Sequence, residues 1–263
     1  MPHLLGKIGN GCIAKARSIF YLSTMLCAGL TLSVKPSTWV FPLRNRLARQ
    51  ILFAGVQAVP FTIMVAALAG GMVYLQCFFW LQYTDKVEFL GRMVAALLFR
   101  ELAPFLVTFI VIGASASAVT TELATMKTTG EVTLLEAQGI DIFNFLAVPR
   151  MIGLAVCVLG LSCIFLFVSI IASALGFILF NGEGQGPQPF LISVFDSVRI
   201  SDWITLITKS VIPGLFTGAI CSYEGLKVEG TSTEVPQAVS RAILRSISAT
   251  VLVSTAVMLI TYL

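Results

Sequence analysis

Hydrophobic and polar positions fall into long blocks along this chain, with none of the short alternation that marks half-buried strands. Five runs carry almost no charge: Ile51–Leu81, Leu102–Thr121, Met151–Gly182, Trp203–Tyr223, interrupted once by Lys209, and Ser246–Leu263. Each is close to or above the roughly 20 residues that a helix needs to cross a bilayer. The pattern predicts an all-α integral membrane protein with five spanning helices. It divides the chain into an N-terminal region, residues 1–50, and a five-span region, residues 51–263.

A shorter apolar stretch, Ser18–Val34, follows Lys7, Lys15 and Arg17. It reads as an amphipathic interfacial helix that offers Ile19, Phe20, Leu22, Met25 and Leu26 to lipid while the basic residues meet anionic headgroups. A sixth, short span is the alternative. A cleaved signal fits less well: Ser23, Thr24 and Gly29 interrupt the apolar core, no A-x-A site follows, and Leu26 stands before Cys27 where a small residue is needed.

Between the second and third runs, Thr121–Arg150 is neither apolar nor a plain charge run. Leu123, Met126, Val132, Leu135 and the pair Ile140/Ile142 recur at helix-like intervals, with Glu122, Lys127, Glu131 and Glu136 between them. This predicts a short amphipathic helix pair. Either it lies on the membrane surface, or it is a docking element through which a cytoplasmic partner drives the protein.

Composition agrees with the block pattern. The chain has 263 residues, 57% hydrophobic and 11% charged, and its mean hydropathy is +0.93, far from a soluble domain with about a quarter of its residues charged. Lys and Arg in short loops stay cytoplasmic. Lys7, Lys15, Arg17, Lys35, Arg44, Arg46 and Arg49 precede the first run, Lys127 and Arg150 flank the central segment, and Lys227, Arg241 and Arg245 lie between the last two runs. The alternate loops hold Lys86, Arg92 and Arg199, so the N-terminus is expected inside and the C-terminus outside. The formal charge of +4 then reports topology, and no nucleic-acid partner is implied.

Candidate chemistry is sparse. His3 is the single histidine, which removes most metal sites and His-based triads. The six cysteines form no C-x-x-C pair and read as small hydrophobes. Asn181–Pro189, NGEGQGPQP, lacks the Gly-Lys-Ser/Thr of a phosphate loop and reads as an external turn-rich loop. No cofactor, metal site, catalytic residue or nucleotide site of its own is expected.

The exceptions within the apolar runs carry more information. Arg100 and Glu101 stand among leucines and phenylalanines, followed by Pro104. A charge at the bilayer centre costs about 2.5–3.5 kcal/mol on insertion scales, so both face protein or a water-filled cavity, or lie near an interface. One account is an ion pair that only assists assembly; the other is a polar spot in an otherwise apolar cavity. Pro104 cannot donate to the Arg100 carbonyl, which leaves that carbonyl free beside the charges. Gly113/Ser117 and Ala114/Ala118 have the small-xxx-small spacing that lets membrane helices approach closely. Gly70, Gly71 and Gln76 read as packing plus one interhelical hydrogen bond, and Lys209 as a side chain snorkelling to the outer interface.

Several motifs in order resemble one family: Gly70–Gln76 GGMVYLQ, Leu98–Leu106 LFRELAPFL, Ile112–Lys127 IGASASAVTTELATMK, Glu136–Asp141 EAQGID, Val148–Arg150 VPR and Val239–Ser246 VSRAILRS. Together they look like the MlaE-type permeases, also called YrbE, over most of the chain from about Leu47. The resemblance implies the membrane subunit of an ABC transporter in a bacterial inner membrane. Its partners would be a second copy of itself, a cytoplasmic ATPase and a periplasmic MCE-domain protein, and its substrate phospholipid, held in a cavity at the homodimer axis. It further implies that Arg100 and Glu101 line that cavity and that Met72, Leu75 and Gln76 touch lipid. The ATPase would couple through the segment 121–150, with Glu122, Glu131, Glu136 and Asp141 around an apolar stripe that includes Leu135. Departures occur where the family's arginine is replaced by Ala114, its Thr-Glu-Gln by Thr129-Gly130-Glu131, and its proline after the aspartate by Ile142. A non-transporting scaffold that recruits an ATPase or MCE protein is the alternative, and a membrane-embedded enzyme is more distant.

Overall fold

The structure, a computed structural model, describes residues 47–81, 87–180, 186–228 and 231–262, together with Thr24. The expected interfacial helix around Ile19–Leu26 falls outside the described residues apart from Thr24. The described residues contain helices and no strand, and five helices are long and apolar enough to cross a membrane.

The first apolar run is split. A short helix α1, Leu47–Val56, ends at Gln57, and the first span α2 runs over Val59–Leu81. Pro60 is the reason: it lacks an N–H and its ring would clash with the carbonyl of Val56, so a helix can begin there but not pass through. The chain turns on the bond from Ala58 N–H to the Gly55 carbonyl, 3.1 Å.

The second span, α3, covers Phe89–Thr128, starting before the uncharged run and enclosing Arg100 and Glu101. The charges sit within the helix because partners from another helix neutralise them. Two π-type turns, Leu98–Leu102 and Ile112–Ala116, interrupt its α geometry. At 40 residues it is about 60 Å long, twice the hydrocarbon thickness, so it projects beyond the bilayer.

Beyond Thr128 the chain turns at Gly130, whose φ of +80° only glycine adopts readily, and forms α4, Glu131–Ala137. Gly139, φ +76°, ends α4: its N–H reaches the Glu136 carbonyl and Ile140 N–H the Leu135 carbonyl, a Schellman closure. The predicted helix pair is therefore the C-terminal end of α3 plus α4. The third span, α5, covers Phe143–Phe180. After α5, in the connection of which Asn181–Pro189 was expected as a turn-rich loop, the structure has a helix α6 over Gln188–Ser197, started by Pro187 and Pro189 and buried through Phe190 and Val194. The fourth span α7, Ile200–Leu226, and the fifth α8, Val235–Tyr262, complete the chain.

Glycines set the helix contacts. A Cβ on Gly70 would stand 2.2 Å from the Ser169 carbonyl oxygen, and Ser173 Oγ donates to the Gly70 carbonyl at 2.8 Å, so α2 and α5 touch backbone to backbone. Gly214 and Gly218 of α7 would place a Cβ 2.6 Å from Ala155 Cα and 2.5 Å from Met151 Cα of α5, a GxxxG contact. The expected stripe behaves differently. Gly113 meets nothing within 4 Å, and Gly113 and Ala114 are exposed. The π turn there holds one residue more than an α turn, and the buried pair is instead Ser115 and Ala116, with Ser115 Oγ donating to the Ala54 carbonyl of α1 at 3.0 Å.

Candidate functional site

Arg100 and Glu101 are brought together with two residues of α7. Arg100 Nε donates to Asp202 Oδ1 at 2.6 Å, and Lys209 Nζ lies 2.6 Å from Glu101 Oε1. Asp202 and Lys209 are seven residues apart, hence on one face of α7, and they meet the adjacent arginine and glutamate of α3 with opposite charge. Asp202 is further fixed because its Oδ2 accepts the Arg199 N–H at 2.9 Å, closing the first turn of α7 in the manner of a capping box.

Pro104 completes the arrangement. It leaves the Arg100 carbonyl without an intrahelical donor, and Lys209 Nζ donates to that carbonyl at 2.9 Å. The carbonyl expected to be free is thus occupied by the ammonium group. Lys209 does not snorkel outward: its side chain is 2% exposed, since a carboxylate and a released carbonyl within reach satisfy it better than a distant interface does. Arg100 and Glu101 keep 27% and 37% side-chain exposure. The site is therefore buried on its α7 side and open on its α3 side, with no net charge among the four groups.

The other expected lipid contacts lie on α2. Met72 and Gln76 are exposed, and Leu75 is half-buried against the main core.

The residues of the segment 121–150 take separate roles. Glu122 pairs with Arg150 of α5, Oε1 to Nη2 2.8 Å, and Arg150 is nearly buried while its Nη1 donates to the Leu146 carbonyl. Asp141 caps α5: its Oδ1 accepts the Phe143 N–H at 3.0 Å and its Oδ2 the Asn144 side-chain amide at 2.6 Å. Leu135 packs inward on the cluster of Leu123, Leu146 and Ile220. The apolar residue α4 presents outward is Leu134, 65% exposed, beside exposed Glu131 and Glu136. A cleft of about 960 Å³ opens between α1, the C-terminal end of α3 and the N-terminal end of α5, with Glu122, Glu131, Arg49 and Arg150 among its lining residues.

Sequence reasoning missed two features. Asp202 went unnamed, although its spacing from Lys209 was the available signal. Glu224, 1% exposed, accepts Arg241 Nε at 3.3 Å and also pairs with Arg245, tying α7 to α8; the two arginines stand four apart on one helix face.

The family model described as Permease MlaE matches residues 47–260. A probable ABC transporter permease protein of Rickettsia prowazekii is 26% identical over 252 residues, 94% of this chain and 92% of its own. A probable ABC transporter permease protein of the alga Pyropia yezoensis is 27% identical, covering 76% of this chain and 75% of its own. The intermembrane phospholipid transport system permease protein MlaE of Haemophilus influenzae is 27% identical over 207 residues, 78% of this chain and 77% of its own. With nearly all of the five-span region inside the match, the chain belongs to the MlaE family of ABC transporter permeases.

Proposed function

We propose that this permease moves phospholipid between the bacterial inner membrane and a periplasmic MCE-domain partner, as a homodimer driven by a cytoplasmic ABC ATPase. The observation that carries the reading is the four-charge site. Two opposite pairs are held inside a membrane helix bundle, yet Arg100 and Glu101 stay partly exposed while Asp202 and Lys209 are buried. Assembly alone is served by burying both pairs; an open edge suits a phosphate and an ester carbonyl passing an apolar surface. The Haemophilus relative, named for intermembrane phospholipid transport, supports the substrate class.

In this reading Met72, Leu75 and Gln76 extend the acyl-chain surface along α2. The segment 121–150 receives the ATPase through Leu134 and the carboxylates of Glu131 and Glu136, while Glu122, Leu135 and Asp141 hold that segment in shape. The N-terminus is cytoplasmic and the C-terminus periplasmic. The test is reconstitution of the purified complex in vesicles. ATP hydrolysis stimulated by phospholipid, together with ATP-dependent transfer of labelled lipid, is expected. Hydrolysis indifferent to lipid, with no transfer, would replace the transporter by a scaffold.

A further inference from the structure

Two prolines stand in the same relation to the four-charge site. Pro104 of α3 comes four residues after Arg100, and Pro213, inside α7, four residues after Lys209. Each leaves the carbonyl of the preceding cation without a helical donor. Lys209 Nζ donates to the Arg100 carbonyl at 2.9 Å, so both missing rungs lie within the reach of one lysine side chain. The π turn Leu98–Leu102 loosens α3 further at that level.

The segments on either side of this level are held differently. On the N-terminal side α3 and α7 are tied to each other, Arg100 to Asp202 and Glu101 to Lys209, both at 2.6 Å, with Phe99 edge-on to Trp203 at 5.6 Å between ring centres. On the C-terminal side both are tied to α5. Ser210 Oγ donates to Ser162 Oγ at 3.2 Å, Gly214 and Gly218 bring α7 onto the backbone of Ala155 and Met151, and Glu122 of α3 pairs with Arg150. α5 is itself an unbroken α-helix over Val148–Phe180. The N-terminal part of α3 also carries α6, since Gly91 lies against Ser193. α6 in turn meets α5 and α2 ring on ring, Phe190 against Phe177 and Tyr74, a contact with a wide range of acceptable angles.

We infer that α3 and α7 share one hinge, at Pro104 and Pro213, about which their N-terminal parts tilt as a yoked unit against α5. The two ion pairs are the yoke: they travel with the unit and stay closed. The rungs that a tilt would have to stretch are those the prolines have already removed, which is how a few positions come to absorb a change of direction. Lys209 keeps the Arg100 carbonyl bonded while the backbone there gives way. A tilt of about 10° would move Ile200 by about 3 Å, since it stands about 20 Å along α7 from Pro213. In a transporter the same tilt carries the exposed edge of Arg100 and Glu101 relative to α5. The hinge does not rest on the transport reading, because a scaffold would tilt in the same way.

The test measures two distances by electron double resonance in the full chain with its co-purifying subunits in nanodiscs. Doubly labelled chain is diluted with unlabelled chain, so that each pair reports one subunit. Spin labels carried on unnatural residues replace Arg92 and Ile200, both in the yoked unit, or Val156 of α5 and Ile200, across the hinge; all three positions are exposed. The distribution for 156 and 200 is expected to be broader than that for 92 and 200 by about 3 Å, the movement of the tilt above. Pro104→Ala with Pro213→Ala restores both rungs and should narrow the distribution across the hinge to the width of the other. Asp202→Asn with Lys209→Met cuts the yoke and should broaden the distribution for 92 and 200. Equal widths in the protein with its prolines and ion pairs intact would overturn the hinge without recourse to any hinge variant, and so would a width across the hinge that survives both alanines. An unaltered distance within the unit after the ion pairs are cut would overturn the yoke. Because none of these readouts measures lipid transfer, failure here is distinguishable from failure of the transport reading.

Discussion

Lys209 and Glu101 lie on different spanning helices with Nζ and Oε1 2.6 Å apart, and the same ammonium takes up the carbonyl that Pro104 strips of its donor. One buried cation thus satisfies a charge and a backbone defect on α3 together. Lys209→Met removes both contacts. Loss of one partner of a fully buried pair costs about 3–5 kcal/mol; with Glu101 more than a third exposed, about 2 kcal/mol is expected. The measurement is thermal unfolding of the purified protein. The double variant Lys209→Met with Glu101→Gln should regain part of the loss, and a double variant no better than the single would show that the pair is not coupled.

Glu224 is the most deeply enclosed carboxylate among the described residues, held by Arg241 and Arg245 of α8. Glu224→Ala leaves two guanidinium groups without their carboxylate between α7 and α8, and because both are more than a third exposed a loss of about 2 kcal/mol is expected. Arg241→Ala should cost less than about 1 kcal/mol, because that side chain is half exposed and exposed pairs contribute little. Comparable losses for the two variants would contradict this ranking. Proteolysis of the connection between α7 and α8 offers an independent readout.

Neighbouring leucines on α4 should separate docking from folding. Leu134 is exposed and Leu135 is packed on the inner core. Leu134→Asp is expected to abolish co-purification of the ATPase without lowering the thermal midpoint of the permease. Leu135→Asp buries a charge within the subunit and should lower that midpoint, with ATPase loss only as a consequence. Retention of the ATPase by Leu134→Asp would move the docking surface elsewhere.

Topology follows from the basic residues and is tested with reporters at described positions. A cysteine introduced at Gly186, between α5 and α6, should react with a membrane-impermeant maleimide in cells whose inner membrane is intact. One introduced at Gly130 should react only after permeabilisation. Equal reaction at both positions would refute an odd number of spans between them.

Much of this fold is legible in the sequence because a bilayer imposes one coarse rule: an uncharged run of sufficient length becomes a helix. Boundaries were less legible where a residue acts through a partner far along the chain. α3 begins well before Leu102 because Asp202 and Lys209 neutralise Arg100 and Glu101, and nothing near residue 100 announces that. The same distance effect hid the role of Lys209, read alone as a snorkelling side chain. Pro104 was informative since its consequence, an undonated carbonyl four residues back, is local. α6 was not, because its burial depends on contact with the start of α3 that includes Gly91 against Ser193. In the segment 121–150 the periodicity of Leu123, Met126, Val132 and Leu135 marks the face packed inside the subunit, so Leu134, the residue proposed for docking, lay on the side that periodicity leaves unmarked.

Glu101→Arg tests the four-charge site most directly. The substitution places a guanidinium against Lys209, which is 2% exposed, so two like charges would share a poorly hydrated space beside Arg100. Insertion should survive, because the apolar runs and the loop charges that set orientation are unchanged, but transport should fall to the level of protein-free vesicles. Glu101→Gln keeps the shape and still accepts a hydrogen bond from Lys209. It should retain most transport if polarity is what lipid meets, and little if the carboxylate is needed to hold Lys209. The reciprocal exchange, Glu101→Lys with Lys209→Glu, separates structure from passage: it restores an ion pair between α3 and α7 while presenting a cation on the open side of α3. Thermal stability should therefore recover, and transport should recover with it only if the pair matters for assembly alone. A recovered midpoint with transport still absent is the result expected if the carboxylate of Glu101 itself faces the lipid path, and wild-type transport by Glu101→Arg would remove the site from that path.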